Sequence, residues 1–206
     1  MAQTSIKLIK PLELSITRCP VVDIRSYVED NHYSGSINGV KISYCFKVVA
    51  PSGQLVGGVI YGQMSTTAWK RYGDAEDDVL ELRRLVLDDQ CARNSESRVV
   101  GQTLRWLKKN TSVKTVVSYA DPHYGHEGTI YKASNFEYLG VTSKDKGFRD
   151  VETGKVYHSR ALRTKYKGEY KPFVKRLRDK LDKGLLEPIE LPGKHVFVYP
   201  LRRRRS

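Results

Sequence analysis

The chain has 206 residues, 39% of them apolar, with 16 Gly, 8 Pro and three cysteines. A chain of that length buries enough of its surface to fold without staples. Cys19, Cys45 and Cys91 cannot all pair and form no C-x-x-C, which argues against a disulfide framework and a cysteine zinc site and for a reducing compartment. No apolar run approaches the ~18 residues of a membrane span, and the opening MAQTSIKLIK lacks an uninterrupted apolar signal core. A cytoplasmic enzyme, a nucleic-acid-binding protein, or both in one, is expected, without a membrane partner.

Charge is unevenly placed along the chain. Residues 1–140 hold 17 basic and 15 acidic residues, a net of +2, whereas 141–206 hold 19 basic and 8 acidic, a net of +11. Basic residues in the last third alternate with Tyr157, Tyr166, Tyr170 and Phe173. That pattern favours a polyanion-binding surface over a merely solvated basic face.

In chain order, residues 20–31 predict a short helix, followed by a Gly-bounded His32-Tyr33-Ser34-Gly35 loop. Residues 43–50 and 55–62 flank Pro51-Ser52-Gly53 and predict a hairpin. Residues 64–77 are polar and irregular, and 79–87 read as a strand buried on at least one face. A polar loop then leads into a helix with Ser95 or Ser97 as N-cap and an apolar stripe of Val99, Val100, Leu104 and Leu107. Residues 113–119 predict a central parallel strand, 126–134 a short helix and 136–141 a strand. A hairpin around 147–154 follows, then a basic amphipathic helix over 171–183 and a last strand over 196–201 before the Arg tail. The β-α-β crossover through 79–119 is expected to be right-handed. The fold class expected is α/β, with a mixed sheet flanked by helices.

Four segments carry candidate chemistry. The loop opening the helix near residue 95 presents free N–H groups, with Arg93 and Arg98 beside it, and suits a phosphate; a plain N-cap is the simpler alternative. Ser118 to Pro122 ends a central strand, where ligands of open α/β sheets bind. There Asp121 is either a general base or a cap for the turn that follows. His123 and His126 would share a metal only on a helix, and the flanking glycines point to a loop, so no clear ligand set for iron or another metal presents itself. Tyr131 is either a proton donor or half-buried core. His32 and Tyr33 form a pair suited to stacking on a base.

The runs ELRRLVLDDQCARNSESRVVGQTLRWL and VVSYADPHYGHEGTIYKASNFEYLG, with the early NHYSG, resemble the Mom family of phage DNA-modification proteins. The resemblance covers roughly residues 25–145. It implies a GNAT-like acyltransferase fold with a mixed, mostly antiparallel central sheet, here a single domain over 1–206 with 142–206 as a basic extension for nucleic-acid contact. It also implies conversion of adenine in duplex DNA to N6-(carbamoylmethyl)adenine, which protects phage DNA from host restriction. The functional residues it implies are His32, Arg83, Ser95 or Ser97 of the NSES loop, Asp121 and Tyr131. In such a site Ser118 would lie at the donor, and Arg83 would bind phosphate or carboxylate unless it pairs with Glu81 or Asp121. Tyr33 would engage the adenine, while Lys175, Arg176, Arg178 and Arg203 would hold the phosphate backbone.

The product connectivity constrains the donor. Simple acetyl transfer would place a carbonyl directly on N6 and supplies no second nitrogen. A glycyl group supplies every added atom, so glycyl-tRNA is the expected donor and acetyl-coenzyme A alone the lesser candidate. The NSES loop also lacks the Gly-rich pattern that cradles coenzyme A pyrophosphate in the GNAT superfamily. The competing expectations are an ordinary coenzyme A-dependent N-acetyltransferase and a DNA-binding accessory protein on the same fold.

Overall fold

In a computed structural model the described residues are 8–202 except 40, 66 and 164; Arg203 and the residues after it lie outside them. The strands are β1 (Ser15–Cys19), β2 (Ile42–Val49), β3 (Leu55–Gly62), β4 (Val79–Leu87), β5 (Thr115–Ala120), β6 (Glu137–Val141), β7 (Asp145–Asp150), β8 (Val156–His158), β9 (Lys165–Tyr166), β10 (Glu169–Tyr170), β11 (Leu186–Leu191) and β12 (His195–Pro200). The helices are α1 (Arg25–Asn31), α2 (Ser95–Asn110), α3 (Thr129–Ala133) and α4 (Pro172–Asp182). They gather into two compact units, residues 1–120, 128–140 and 196–206 forming one and residues 121–127 and 141–195 the other.

The first unit is built on a seven-stranded sheet in the order β1-β2-β3-β4-β5-β12-β6. Strands β1 to β4 pair antiparallel, and β4 pairs parallel with β5. This is the mixed α/β sheet expected from the sequence. Strand β3 is buried along nearly its whole length because both faces are covered. On one face lie the α2 side chains Val99, Val100, Leu104 and Leu107 with Phe46, Val59 and Tyr61. On the other, Ile24 and Val28 cover Ile60 and Cys45. Gly58 permits that second contact, since a Cβ there would lie 3.0 Å from Val28 Cγ2. Thr103, a polar residue on the α2 stripe, is satisfied: its hydroxyl donates to Val100 O at 2.9 Å and bonds the buried Tyr61 hydroxyl at 2.7 Å.

The second unit holds the three-stranded sheet β11-β7-β8 and the pair β9-β10. Helix α4 buries Val174 and Leu177 against Leu162 and Leu186. Asp150, 1% exposed, ends β7 and accepts from the backbone N–H of Glu152 and Thr153 and from Lys180 Nζ of α4. One buried carboxylate thereby fixes both the hairpin turn and the helix.

Three expectations need correction. The helix predicted over 20–31 begins only at Arg25, after a 3-10 turn over Val21–Asp23 that ends at Ile24 in a non-helical conformation. Helix α2 has Asn94 at its N-cap in the left-handed conformation, not Ser95 or Ser97, with no side-chain cap bond. Both serine hydroxyls turn back instead, Ser95 to Ala92 O at 2.6 Å and Ser97 to Asn94 O at 3.1 Å. Strands β1 and β11 were not expected; their short, half-polar sequences carry little alternation of their own and are held by the partners they pair with.

Candidate active site

The first unit opens where β4 and β5 stop pairing. Their parallel ladder runs from Val79↔Thr115 to Leu82↔Ser118 and ends there, although β4 continues to Leu87 and β5 to Ala120. On its other side β4 remains paired with β3, with one irregularity: Ile60 faces Arg84 and Tyr61 faces Leu82. Arg83 is the extra residue of this bulge. A bulge bends its strand and re-aims the side chains beside it. Beyond the bulge, the edge of β4 toward β5 carries backbone groups outside any ladder, suited to polarising a carbonyl.

Side chains with chemistry converge on this opening. Arg83 Nη1 donates to Glu81 Oε2 at 2.5 Å, while Arg83 Nε is buried with no hydrogen-bond partner. Ser118 is fully buried and its hydroxyl lies 3.4 Å from Leu82 O. The Tyr131 phenol hydrogen-bonds Ser118; burial, more than the nearby Glu81 carboxylate, raises its pKa above the ordinary value. Its ring packs between Phe136 and Phe197, with centroids 5.5 and 5.3 Å away. Tyr119 is likewise raised, first by burial and then by its bond to Tyr72.

The His32-Tyr33 loop is tied to the same strand. Arg84 Nη2 donates to Ser36 O at 2.9 Å and Nη1 to Arg83 O at 2.7 Å. Ser34 holds the ring, its N–H and Oγ lying 3.1 and 2.9 Å from His32 Nδ1. The His32 and Tyr33 rings lie 4.2 Å apart, and Tyr33 is 49% exposed. Arg84 is an addition that sequence reading missed, while Glu81 is one of the two partners the sequence offers Arg83, and the one it takes. The signal was present: E-L-R-R places three charges within a strand otherwise made of Val and Leu.

At the start of α2 no side chain caps the first turn. Its free amides, with Arg93 and Arg98 in that segment, offer an anion site, and Arg98 Nε is buried without a partner. These residues fit a donor phosphate, which they would hold by charge and amide hydrogen bonds; the bound donor would supply the acyl carbonyl. The hydroxyls of Ser95 and Ser97 are committed to the loop's own carbonyls.

In the second unit Asp121 caps the 3-10 turn Pro122–Tyr124, accepting from His123 N at 3.1 Å, and pairs with Lys194 Nζ at 2.8 Å. The capping alternative therefore holds, and the carboxylate also has a cationic partner. His123 and His126 lie on a turn and a loop rather than a helix face, and no group of three or more metal-ligating side chains occurs among the described residues. Lys175, Arg176 and Arg178 are exposed on α4. No helix among the described residues is long and apolar enough to cross a membrane.

The architecture is that of the GNAT acetyltransferases. A Bacillus subtilis acetyltransferase solved with CoA matches 92% of this chain and 99% of its own, with a TM-score of 0.51 and 11% identity. A GNAT-family acetyltransferase from Bacillus anthracis matches 93% and 96%, with a TM-score of 0.50 and 11% identity. Within that fold the sequence is more particular: the profile of the Mom protein family matches residues 13–206, and the chain belongs to that family. It is 33% identical over 138 residues to the methylcarbamoylase Mom of Escherichia phage Mu, a stretch covering 65% of this chain and 55% of the phage protein. The chain thus matches about half the length of that curated relative.

Proposed function

We propose that this chain is a phage DNA-modification enzyme of the acyltransferase type that converts adenine in duplex DNA to N6-(carbamoylmethyl)adenine and so protects phage DNA from host restriction. The observation that carries the reading is the 33% identity to the phage Mu methylcarbamoylase, joined to a β4–β5 opening equipped with Arg83, Glu81, Ser118 and Tyr131.

The donor is a glycyl ester such as glycyl-tRNA. Adenine N6 attacks the ester carbonyl, a C–N bond forms, and the tRNA hydroxyl leaves with a proton from Tyr131. The proton lost by N6 passes to water. Unladdered amides of β4 hold the developing oxyanion, and Arg83 takes a donor phosphate. His32 and Tyr33 stack on the adenine, flipped from the duplex at a cost of a few kcal/mol. The glycyl amine then attacks C6, and the original N6 is expelled as the primary amide. Tethering makes this second step unimolecular and strongly favoured.

The test is mass spectrometry of nucleosides from plasmid DNA of bacteria expressing the chain, beside Tyr131→Phe. A deoxyadenosine bearing a glycinamide substituent, lost in the variant, is expected; unmodified adenine from soluble protein overturns the reading. Feeding 15N-glycine should label the nitrogen bonded to C6, and label confined to the amide rules out the rearrangement. The fold shared with a CoA-bound acetyltransferase supports a second reading, transfer from acetyl-coenzyme A, which predicts saturable acetyl-coenzyme A binding and no glycine label.

A further inference from the structure

Within the second unit, residues 155–178 contain nine Lys or Arg and one acidic residue. The acidic residues elsewhere in that unit are largely engaged, Glu190 by Lys144, Glu187 by Arg149, Asp150 and Glu152 by Lys180, and Asp179 by Lys183. No carboxylate among the described residues pairs with the exposed Lys155, Lys175 or Arg176. In the midst of this charge sits an exposed aromatic ring. Phe173, 44% exposed, projects from the first turn of α4 outside the small core of Leu162, Leu177 and Leu186. It meets the half-buried Tyr157 of β8 at 5.9 Å and 51°, and Lys155 Nζ lies 5.7 Å from the Tyr157 centroid. Arg176 is three residues on from Phe173, on the same side of the helix. Tyr170 differs: Lys165 and Arg178 approach its ring at 5.0 and 4.7 Å.

We propose that Phe173, backed by Tyr157 and flanked by Lys155 and Arg176, is a binding platform for single-stranded nucleic acid, on which an unpaired base stacks. Phosphate contact alone needs cations but no exposed ring. A duplex keeps its base faces inside the stack, so an exposed ring among unpaired cations selects unpaired nucleotides. The platform goes beyond the proposed adenine chemistry and stands without it, because binding requires no reaction.

The test is fluorescence anisotropy of the full chain with labelled oligo(dT), oligo(U) and a duplex of equal length. Phe173→Ala should weaken single-strand binding by about five- to 100-fold, the loss of one stacked base, and leave duplex binding unchanged. Phe173→Trp should restore affinity, with indole fluorescence quenched by the single strand. The ratio of oligo(U) to oligo(dT) affinity reports whether the ribose matters, and tight binding of either supports the platform. Equal losses for single strand and duplex, no loss for either, or an unquenched Trp in the folded variant overturns it. Failure of the nucleoside assay with these affinities intact would remove the chemistry and keep the platform.

Discussion

Replacing Tyr131 by Phe separates chemistry from structure, because the neighbours permit a quantitative expectation. The substitution keeps the ring against Phe136 and Phe197 at 5.5 and 5.3 Å and removes only the hydroxyl bonded to Ser118. Ser118 keeps Leu82 O as an acceptor at 3.4 Å, so no donor is orphaned. The folding cost is that of one hydrogen bond, about 1 kcal/mol, or about 2–4 °C in Tm for a chain of this size. Loss of a positioned proton donor costs about 10²–10⁴-fold in rate, equivalent to about 3–5 kcal/mol of barrier. Tyr61→Phe supplies the control. It too deletes a buried hydroxyl, 2.7 Å from Thr103 Oγ1, and Thr103 still donates to Val100 O. The two variants should melt alike and differ in modified deoxyadenosine per unit time, scored by thermal melting and nucleoside mass spectrometry. If Tyr131→Phe keeps its rate within about threefold, far short of the loss expected for a proton donor, or Tyr61→Phe loses as much, the proton-donor assignment is wrong.

Three further outcomes follow from the geometry. Gly128 has φ +76° and an added Cβ would collide with the Phe197 ring, whereas Gly125 has φ +74° with open space around it. In urea titrations Gly125→Ala should cost about 1–2 kcal/mol for backbone alone, and Gly128→Ala a further ~1–3 kcal/mol for overpacking. The bond from Lys180 is the largest of the influences that hold Asp150 below the usual carboxylate value, with backbone N–H groups adding to it. A depressed carboxyl contributes stability that is complete above its unfolded value, about 3.9, and lost as pH falls through the lower folded value. Melts taken from neutral pH into acid should show that loss in the wild type, and Asp150→Asn, already destabilised at neutral pH, should show a smaller one. Finally, duplex DNA affinity should fall steeply with salt, and Lys175→Ala or Arg178→Ala should reduce the log–log slope by about one for each phosphate no longer neutralised. An unchanged slope would place the duplex elsewhere.

Much of the architecture is legible along the chain because it rests on local signals. The hairpin around Pro51-Ser52-Gly53, the apolar run of 79–87 and the Val99-Val100-Leu104-Leu107 stripe carry their period and their turns with them, and β2, β3, β4 and α2 follow. So does the concentration of Lys and Arg after residue 141. The local backbone was less legible at element ends: Asn94, not a serine, takes the left-handed cap of α2, and β1 and β11 exist because a neighbouring strand offers them a ladder. Chemistry depended most on tertiary structure. Periodicity does not show that Arg83 sits in a bulge opposite no residue of β3, that the β4–β5 ladder ends at Ser118, or that Arg84 reaches back to Ser36. Nor does the motif SYADP reveal that Lys194 neutralises Asp121, or IYKASNF that Tyr131 bonds Ser118. The sequence alone settles the strongly periodic helices and strands and the charged stretches, since those depend on neighbours a few residues away. Which side chains share a hydrogen bond, and hence which proton is held and which carboxylate is paired, depends on residues brought together from distant parts of the chain, and only the folded structure decides that.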